Sequence, residues 1–305
     1  MDLDRRSLLT GAAAAGAAVA AGALPLSSAA ASERPEAPAD AAGMLYDATR
    51  CIGCKTCVVA CHQANFDNPW EEEQGRLHYD PVDLDDRTRN IIKLFRDGER
   101  WSYVKRQCMH CIDPACVGAC MIGALQKREH GIVTYNASRC IGCRYCQIAC
   151  PFNIPRFEWD KPASSRIVKC ELCNHRLAEG DIPACCDVCP TSAVIYGRRQ
   201  DLLEEAHRRI AAEPDLYRDH VYGETEAGGT QVLYLAGKDV SFAELGLPDL
   251  SAEPVPDRPR TIQHGIYQGF IAPAVLYGVL AAVIWRNRRQ ESPLEAAPAD
   301  GEEGR

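Results

Sequence analysis

The amino-acid sequence predicts an α+β fold of two related halves, preceded by a signal peptide and followed by a single transmembrane helix. Three observations predict this organisation. All 17 cysteines of the 305-residue chain lie in a central region, most of them in regularly spaced groups. An apolar run follows a pair of arginines at the N-terminus, and a second, uncharged run lies near the C-terminus. The two ends therefore differ in composition from the cysteine-rich region between them.

Residues 1–31 have the layout of a twin-arginine signal peptide. The pair Arg5–Arg6 precedes an apolar stretch rich in alanine and glycine, Leu8 to Leu26, and residues 29–31 offer a cleavage site of the A-x-A type. An ordinary secretory signal that contains two arginines by chance is the alternative. The two routes differ in consequence, because the twin-arginine route exports proteins that have already folded, often around a cofactor.

Composition narrows the classes of function. Charged residues make up 25% of the chain, the formal net charge is −8, and the one basic patch is the short run Arg286 to Arg289. Nucleic acid is therefore not an expected partner. The sequence shows no nucleophile and base pair, no phosphate-binding loop and no open metal site. We expect a protein that is not itself catalytic.

Sixteen of the cysteines form four groups, and only Cys186 is left over. The first and third groups have the spacing C-x2-C-x2-C-x3-C, with Pro151 directly after the third. This is the spacing with which bacterial ferredoxins bind iron–sulfur clusters. The second group is C-x2-C-x4-C-x3-C and the fourth is C-x2-C-x11-C-x3-C. In chain order the groups are Cys51, Cys54, Cys57, Cys61; Cys108, Cys111, Cys116, Cys120; Cys140, Cys143, Cys146, Cys150; and Cys170, Cys173, Cys185, Cys189.

The spacing has a physical reason. Three closely spaced cysteines on a turning loop can bind three corners of one cluster. The fourth, which we place at the start of a helix, points away and reaches a second cluster. Groups must then cooperate in pairs, and the pattern predicts ferredoxin-like units with two clusters each.

Other uses of the cysteines are less consistent with the spacing. Disulfides are common in exported proteins, but three thiols within seven residues are badly placed to pair with one another. Structural zinc uses paired C-x2-C units and has no need for a third cysteine or the following x3-C. The remaining Cys186 is interpreted as a small buried hydrophobic residue rather than a spare ligand.

Several elements are predicted between and after the cysteine groups. Two β-rich runs around Asp97–Gly98 predict a hairpin leading into the second group. Gln200 to Ala212 predicts an amphipathic helix. Its apolar face would be core, with four charged residues off that face: Glu204, Glu205, Arg208 and Arg209. The run GGTQVLYLAG predicts a strand, and FAELGLP a short helix or turn.

The C-terminal region predicts a membrane anchor. A proline-rich linker spans residues 251–263, a transmembrane helix 264–286 and a tail 287–305. Ile266 to Trp285 carries no charge over twenty residues, which spans about 30 Å as a helix. The arginines that follow place the tail in the cytoplasm and the cysteine-rich domain outside. A buried helix of a soluble protein is the alternative.

Three cysteine-rich segments resemble those of a known protein family. The segments CMHCIDPACVGACMIGAL, YNASRCIGCRYCQIACPF and KCELCNHRLAEGDIPACCDVCPTSAVIYG resemble the four-cluster 4Fe-4S electron-transfer subunits of membrane-bound respiratory oxidoreductases. Members serve formate dehydrogenase, dimethyl sulfoxide reductase and nitrate reductase, and the similarity covers about residues 43–250. The signal and the C-terminal helix together make the chain most similar to the hydrogenase-2 iron–sulfur subunit. One departure is Met121, where a proline commonly follows the second group.

The resemblance implies which cysteines share a cluster. The first and fourth groups pair, and so do the second and third, within one domain of four clusters. The implied ligands are Cys51, Cys54, Cys57, Cys189 for cluster 1; Cys108, Cys111, Cys116, Cys150 for cluster 2; Cys140, Cys143, Cys146, Cys120 for cluster 3; and Cys170, Cys173, Cys185, Cys61 for cluster 4.

The resemblance also implies a function in anaerobic respiration. The protein would relay electrons between a periplasmic catalytic subunit, a nickel–iron hydrogenase, and an integral membrane subunit that exchanges them with quinone. It would sit on the periplasmic side of the inner membrane. A molybdenum oxidoreductase of the formate dehydrogenase type, or a sulfur- or nitrogen-oxide reductase, is the alternative partner. A disulfide-stapled, membrane-anchored binding module is the alternative of another class.

Overall fold

The computed structural model describes residues 35–67, 81–161, 166–256, 273 and 275–286. The predicted signal peptide and cytoplasmic tail lie outside these residues, as does part of the predicted transmembrane helix. The chain divides into a unit of Arg34–Asp257 and a second unit formed by its two ends. Residues 275–286 are helical. Among the residues described, no helix is both long enough and apolar enough to cross a bilayer.

The unit Arg34–Asp257 is an α+β structure of short elements. Its strands are β1 (Ala42–Asp47), β2 (Ile91–Asp97), β3 (Arg100–Arg106), β4 (Leu125–Lys127), β5 (Val133–Tyr135), β6 (Arg156–Phe157), β7 (Ile167–Val168), β8 (Val194–Arg198) and β9 (Val232–Leu235). Its helices are α1 (Thr56–Asn65), α2 (Ala115–Gly118), α3 (Tyr145–Ala149), α4 (Asn174–Ala178), α5 (Ala184–Asp187) and α6 (Arg199–Ala212).

A three-stranded sheet in the order β8-β1-β9 brings the two ends of this unit together. Strand β1 is antiparallel to β8 and parallel to β9, and every residue of β1 and β9 is buried. Because β1 leads into the first cysteine group and β8 follows the fourth, their pairing places these two groups side by side.

Helix α6 covers one face of the sheet. Leu202, Leu203, Ala206 and Ile210 are buried against Leu45 of β1 and its neighbours, which confirms the predicted amphipathic helix. The expectation that Arg209 lies off the buried face was wrong. Its guanidinium is buried and donates to the carboxylate of Asp47 at 2.9 Å, which the sequence periodicity could not reveal.

The other strands form two-stranded hairpins. The predicted hairpin is confirmed by β2 and β3, which pair from Ile91 with Arg106 to Asp97 with Arg100. Gly98 makes its turn with a φ of +61°, a conformation that glycine adopts without strain. The predicted strand is β9, and FAELGLP forms a turn.

The short helices correct the expected position of the fourth cysteine of each group, which does not begin a helix. The third cysteine is instead the second residue of a helix in all four groups: Cys57 in α1, Cys116 in α2, Cys146 in α3 and Cys185 in α5. The fourth follows four residues later, within α1 for Cys61 and just beyond the end of the helix in the other three groups. This offset separates the fourth cysteine from the other three.

Candidate iron–sulfur cluster sites

The loop between the first and second cysteines turns in the same way in all four groups. The residue two positions after the first cysteine has a left-handed φ in each: Gly53, His110, Gly142 and Leu172. The backbone N–H groups of Gly142 and Leu172 donate to the Sγ of Cys140 and Cys170, at 3.4 Å each. Amides directed at sulfur stabilise a thiolate ligand.

Gly53 offers a direct test of this loop geometry. A Cβ at Gly53 would lie 2.3 Å from the Tyr103 ring, whereas a Cβ at Gly98 would meet nothing within 4 Å. Both positions have positive φ, which costs an alanine about 1–2 kcal/mol. We expect Gly53→Ala to lower the unfolding midpoint and the iron content clearly more than Gly98→Ala. Equal effects in thermal unfolding and iron analysis would contradict the packing of Tyr103 on the loop.

One cavity joins the first and fourth groups. It is lined by four of the predicted ligands: Cys51, Cys54, Cys57 and Cys189. Ile52, Lys55, Pro190 and Thr191 complete its mouth. The structure thus brings three cysteines of one group together with the last cysteine of another.

A second cavity joins the second and third groups. The cysteines that line it are Cys120, Cys140, Cys143 and Cys146. The backbone N–H of Ala124 donates to the Sγ of Cys120 at 3.2 Å. The arrangement repeats that of the first cavity, with three cysteines from one group and one from its partner.

Most of the other eight predicted ligands are buried. Asn65 Nδ2 is 3.7 Å from the Sγ of Cys61 and 3.6 Å from that of Cys173, so these two thiols are neighbours. Burial raises the pKa of Cys170, and the charges of Cys61, Cys108, Cys173 and Cys185 raise it further.

Cys111 has a similar environment, formed by cysteines of the second and third groups. Burial raises its pKa, followed by the charges of Cys108, Cys116 and Cys150. These four cysteines are the ligand set expected for cluster 2, and the structure brings them together.

Burial sets the protonation of the thiols before any metal binds. It raises the pKa of Cys57, Cys61 and Cys116 to about 12, and that of Cys146 to about 11. Cysteine binds metal as the thiolate, so loading these sites releases protons. A metal centre of high positive charge is the natural compensation for so many converging thiolates.

The donor set suits iron–sulfur clusters. A 4Fe-4S cluster takes four cysteine thiolates spread around it, and each cavity offers four sulfurs on its wall. A single zinc ion needs ligand atoms about 2.3 Å from one point. Within the described ranges, no group of three or more His, Cys, Asp or Glu side chains is placed to hold a single metal ion. All 17 cysteines, every one of them described, are free of disulfides.

Two features near the cysteines were not read from the sequence. Cys186 packs against the hydrophobic core, in agreement with its interpretation as a small hydrophobic residue, but it is only half-buried. Lys105 is fully buried beside the first and fourth groups. The sequence of the strand gives no signal of such a position, since Val104 and Lys105 are consecutive residues and both are buried.

Comparisons with known protein families agree with this chemistry. Residues 42–63 match the 4Fe-4S binding domain, and residues 99–199 match the 4Fe-4S dicluster domain. The matches cover the first cysteine group and the other three groups respectively.

The chain is also similar to individual respiratory proteins. It is 38% identical to the hydrogenase-2 operon protein HybA of Escherichia coli O157:H7 over 326 aligned positions, which cover 95% of this chain and 97% of HybA. It is 38% identical to the iron–sulfur subunit of the nitrate-inducible formate dehydrogenase of Escherichia coli K12, over 63% of this chain and 66% of that subunit. The formate dehydrogenase iron–sulfur subunit of Haemophilus influenzae is 37% identical over 63% of each chain. With its cysteine-lined cavities and 4Fe-4S domains, the chain therefore belongs to the family of ferredoxin-type iron–sulfur electron-transfer subunits that includes HybA.

Proposed function

We propose that this protein relays electrons through four 4Fe-4S clusters between a catalytic subunit outside the inner membrane and a quinone-reactive subunit within it. The observation that carries the proposal is the pair of cavities, each combining three cysteines of one group with one of another. The chain supplies ligands and surroundings, and the chemical transformation belongs to the partner. The proposed ligand sets are Cys51, Cys54, Cys57, Cys189 (cluster 1); Cys108, Cys111, Cys116, Cys150 (cluster 2); Cys120, Cys140, Cys143, Cys146 (cluster 3); and Cys61, Cys170, Cys173, Cys185 (cluster 4).

Neighbouring cysteines of different sets suggest the order of the relay. The charge of Cys185 raises the pKa of Cys57, so ligands of clusters 4 and 1 are neighbours. The charge of Cys108 raises the pKa of Cys170, so ligands of clusters 2 and 4 are neighbours. The charge of Cys146 raises the pKa of Cys116, so ligands of clusters 3 and 2 are neighbours. The proposed path is therefore 1, 4, 2, 3, with the two cavities at its ends.

The surface at each end supports docking of a partner. Around cluster 3, Met121, Ile141 and Ile148 are 77%, 67% and 81% exposed, and Cys143 is exposed as well. Apolar surface of this kind is typical of protein interfaces. We propose that the quinone-reactive subunit covers this end. The catalytic subunit would then cover the end at cluster 1, where Cys54 and Ile52 are exposed.

The partner proposed is a nickel–iron hydrogenase. HybA is named for the hydrogenase-2 operon and aligns with nearly the whole chain, whereas the formate dehydrogenase subunits align with 63% of it. A molybdenum oxidoreductase of the formate dehydrogenase type is the second candidate, supported by those same subunits. Partners identified by mass spectrometry after gentle membrane extraction decide between them. Recovery with a molybdenum enzyme would contradict the hydrogenase assignment, and recovery of an uncoloured, iron-free protein would contradict the relay.

Export by the twin-arginine route and anchoring by residues 264–286 complete the proposal. The anchor is supported by the uncharged run and the arginines after it. The route is supported by Arg5–Arg6 and by the need to assemble clusters before export.

The export proposal is tested by changing both arginines to lysine. We expect Arg5→Lys with Arg6→Lys to leave a cluster-loaded protein in the cytoplasm, because a receptor reads the pair as an address. Cell fractionation with iron analysis measures this outcome, and the unchanged chain is the control. Normal delivery of the double variant to the periplasm would show that the signal is of the general secretory type.

A further inference from the structure

Lys105 is a charged side chain sealed inside the cluster domain. It lies on β3, and none of its surface is exposed. Its ammonium donates to Oε1 of Gln107, and the hydroxyl of Tyr234 donates to its backbone carbonyl at 2.7 Å. These contacts fix the position of the side chain. A buried ammonium is unfavourable unless negative charge compensates it.

Cysteines supply the compensating charge once they bind metal as thiolates. Burial alone lowers the pKa of Lys105, but the charges of Cys185, Cys57, Cys61 and Cys170 outweigh it and hold the pKa above its ordinary value. No carboxylate is among these strongest influences. The effect is mutual. The charge of Lys105 lowers the pKa of Cys57 and Cys61, although burial raises the pKa of both by more. It also contributes to the lowered pKa of Cys185.

These cysteines belong to two different ligand sets. Cys57 is a proposed ligand of cluster 1, and the other three are proposed ligands of cluster 4. Helices α1 and α5, which carry Cys57 and Cys185, pack against each other. Lys105 is therefore a single positive charge that acts on both clusters.

We propose that Lys105 raises the reduction potentials of clusters 1 and 4 together. This inference rests on the ligand sets of the proposed function. Reduction adds one electron and one negative charge to a cluster, with no bond formed or broken. A fixed positive charge nearby stabilises the reduced form, and net charge is among the factors that set cluster potentials. Burial strengthens this effect, since solvent and salt screen buried charges little.

A second buried lysine provides a matched control. Lys169 is 3% exposed, and its Nζ donates to the backbone carbonyls of Val133 and Cys170. Its charge acts on Cys116, a proposed ligand of cluster 2. Replacing Lys169 should therefore shift the reduction potential of cluster 2 more than that of cluster 1. The replacement removes a buried ammonium group, as the replacement of Lys105 does.

The test is a redox titration followed by electron paramagnetic resonance on the membrane-extracted complex. In Lys105→Met we expect the ratio of reduced to oxidised cluster, at a fixed potential, to fall at least tenfold for two of the four clusters. Each tenfold change corresponds to 59 mV for a one-electron couple. Lys105→Arg, which keeps the charge, should leave both potentials close to those of the unchanged protein. Lys169→Met should shift the potential of cluster 2 more than that of cluster 1.

Iron and sulfide content separate the possible outcomes. Unchanged potentials in a Lys105→Met protein with full iron would overturn the proposal. If Lys105→Met loses clusters, Lys105→Gln and Lys105→Arg are compared instead. We then expect the potentials of clusters 1 and 4 to shift in Lys105→Gln, which is neutral, and not in Lys105→Arg. Cluster loss in all three variants would also overturn it, because the lysine would then be a structural requirement. Failure of the ligand assignment would show instead as missing iron in the unchanged protein.

Discussion

Replacing Cys143 by serine should stop electrons one step short of the membrane subunit. The thiol of Cys143 is exposed at the edge of the cluster 3 cavity, so serine there disturbs little packing. Loss of one of four thiolates favours a three-iron cluster, and cluster type is a main determinant of potential. A higher potential at the last cluster makes the onward step unfavourable, by a factor of ten for every 59 mV.

We therefore expect quinone-linked turnover of the complex to fall about tenfold or more, while turnover with an artificial dye at the catalytic subunit survives. Cys186→Ser is the matched control, because Cys186 lies outside all four ligand sets, and it should keep both activities. If quinone-linked turnover is unchanged in a Cys143→Ser protein shown by electron paramagnetic resonance to hold a three-iron cluster, cluster 3 is not on the path.

Removing the buried ion pair between α6 and β1 should have the largest effect on stability. The Asp47 carboxylate is fully buried and accepts from Arg209 and from the Tyr217 hydroxyl, both at 2.9 Å. In Arg209→Met this carboxylate keeps its burial and loses the nearer of its two charged partners, while Arg50 remains at 3.4 Å. Removing one member of a buried pair costs about 3–5 kcal/mol. For a domain of this size that corresponds to roughly 6–20 °C in the unfolding midpoint.

The adjacent residue is the control for this experiment. Arg208 is an exposed residue that pairs with Glu205, and exposed pairs contribute at most about 1 kcal/mol. Thermal unfolding of the cluster-loaded protein without oxygen should show a large loss for Arg209→Met and little change for Arg208→Met. Similar midpoints for the two variants would mean that the Asp47 pair contributes no more than a surface contact.

Local sequence signals predicted the features that depend on neighbouring residues. The cysteine spacings indicated ligand loops because each loop must turn within a few residues, and Gly53 and Gly142 adopt the required conformation. The β2–β3 hairpin and the apolar face of α6 could be predicted for the same reason. The start of each short helix was misplaced, since the third cysteine already lies in its first turn.

Features that depend on distant pairing could not be derived from residue patterns alone. The first and fourth cysteine groups meet because β1 lies between β8 and β9, a contact between segments far apart in the chain. The neighbours Lys105 and Arg106 look alike in sequence, yet only Lys105 is fully buried. Arg208 and Arg209 differ in the same way, and only the packing of α6 on β1 separates them.

The number of clusters is the central quantity of this account, and iron and acid-labile sulfide analysis measures it most directly. A 4Fe-4S cluster holds four of each atom, so a protein prepared under strict exclusion of oxygen should contain roughly 16 iron and 16 sulfide per chain. About eight of each would mean that only two of the four ligand sets hold clusters. Zinc without sulfide would contradict the relay altogether.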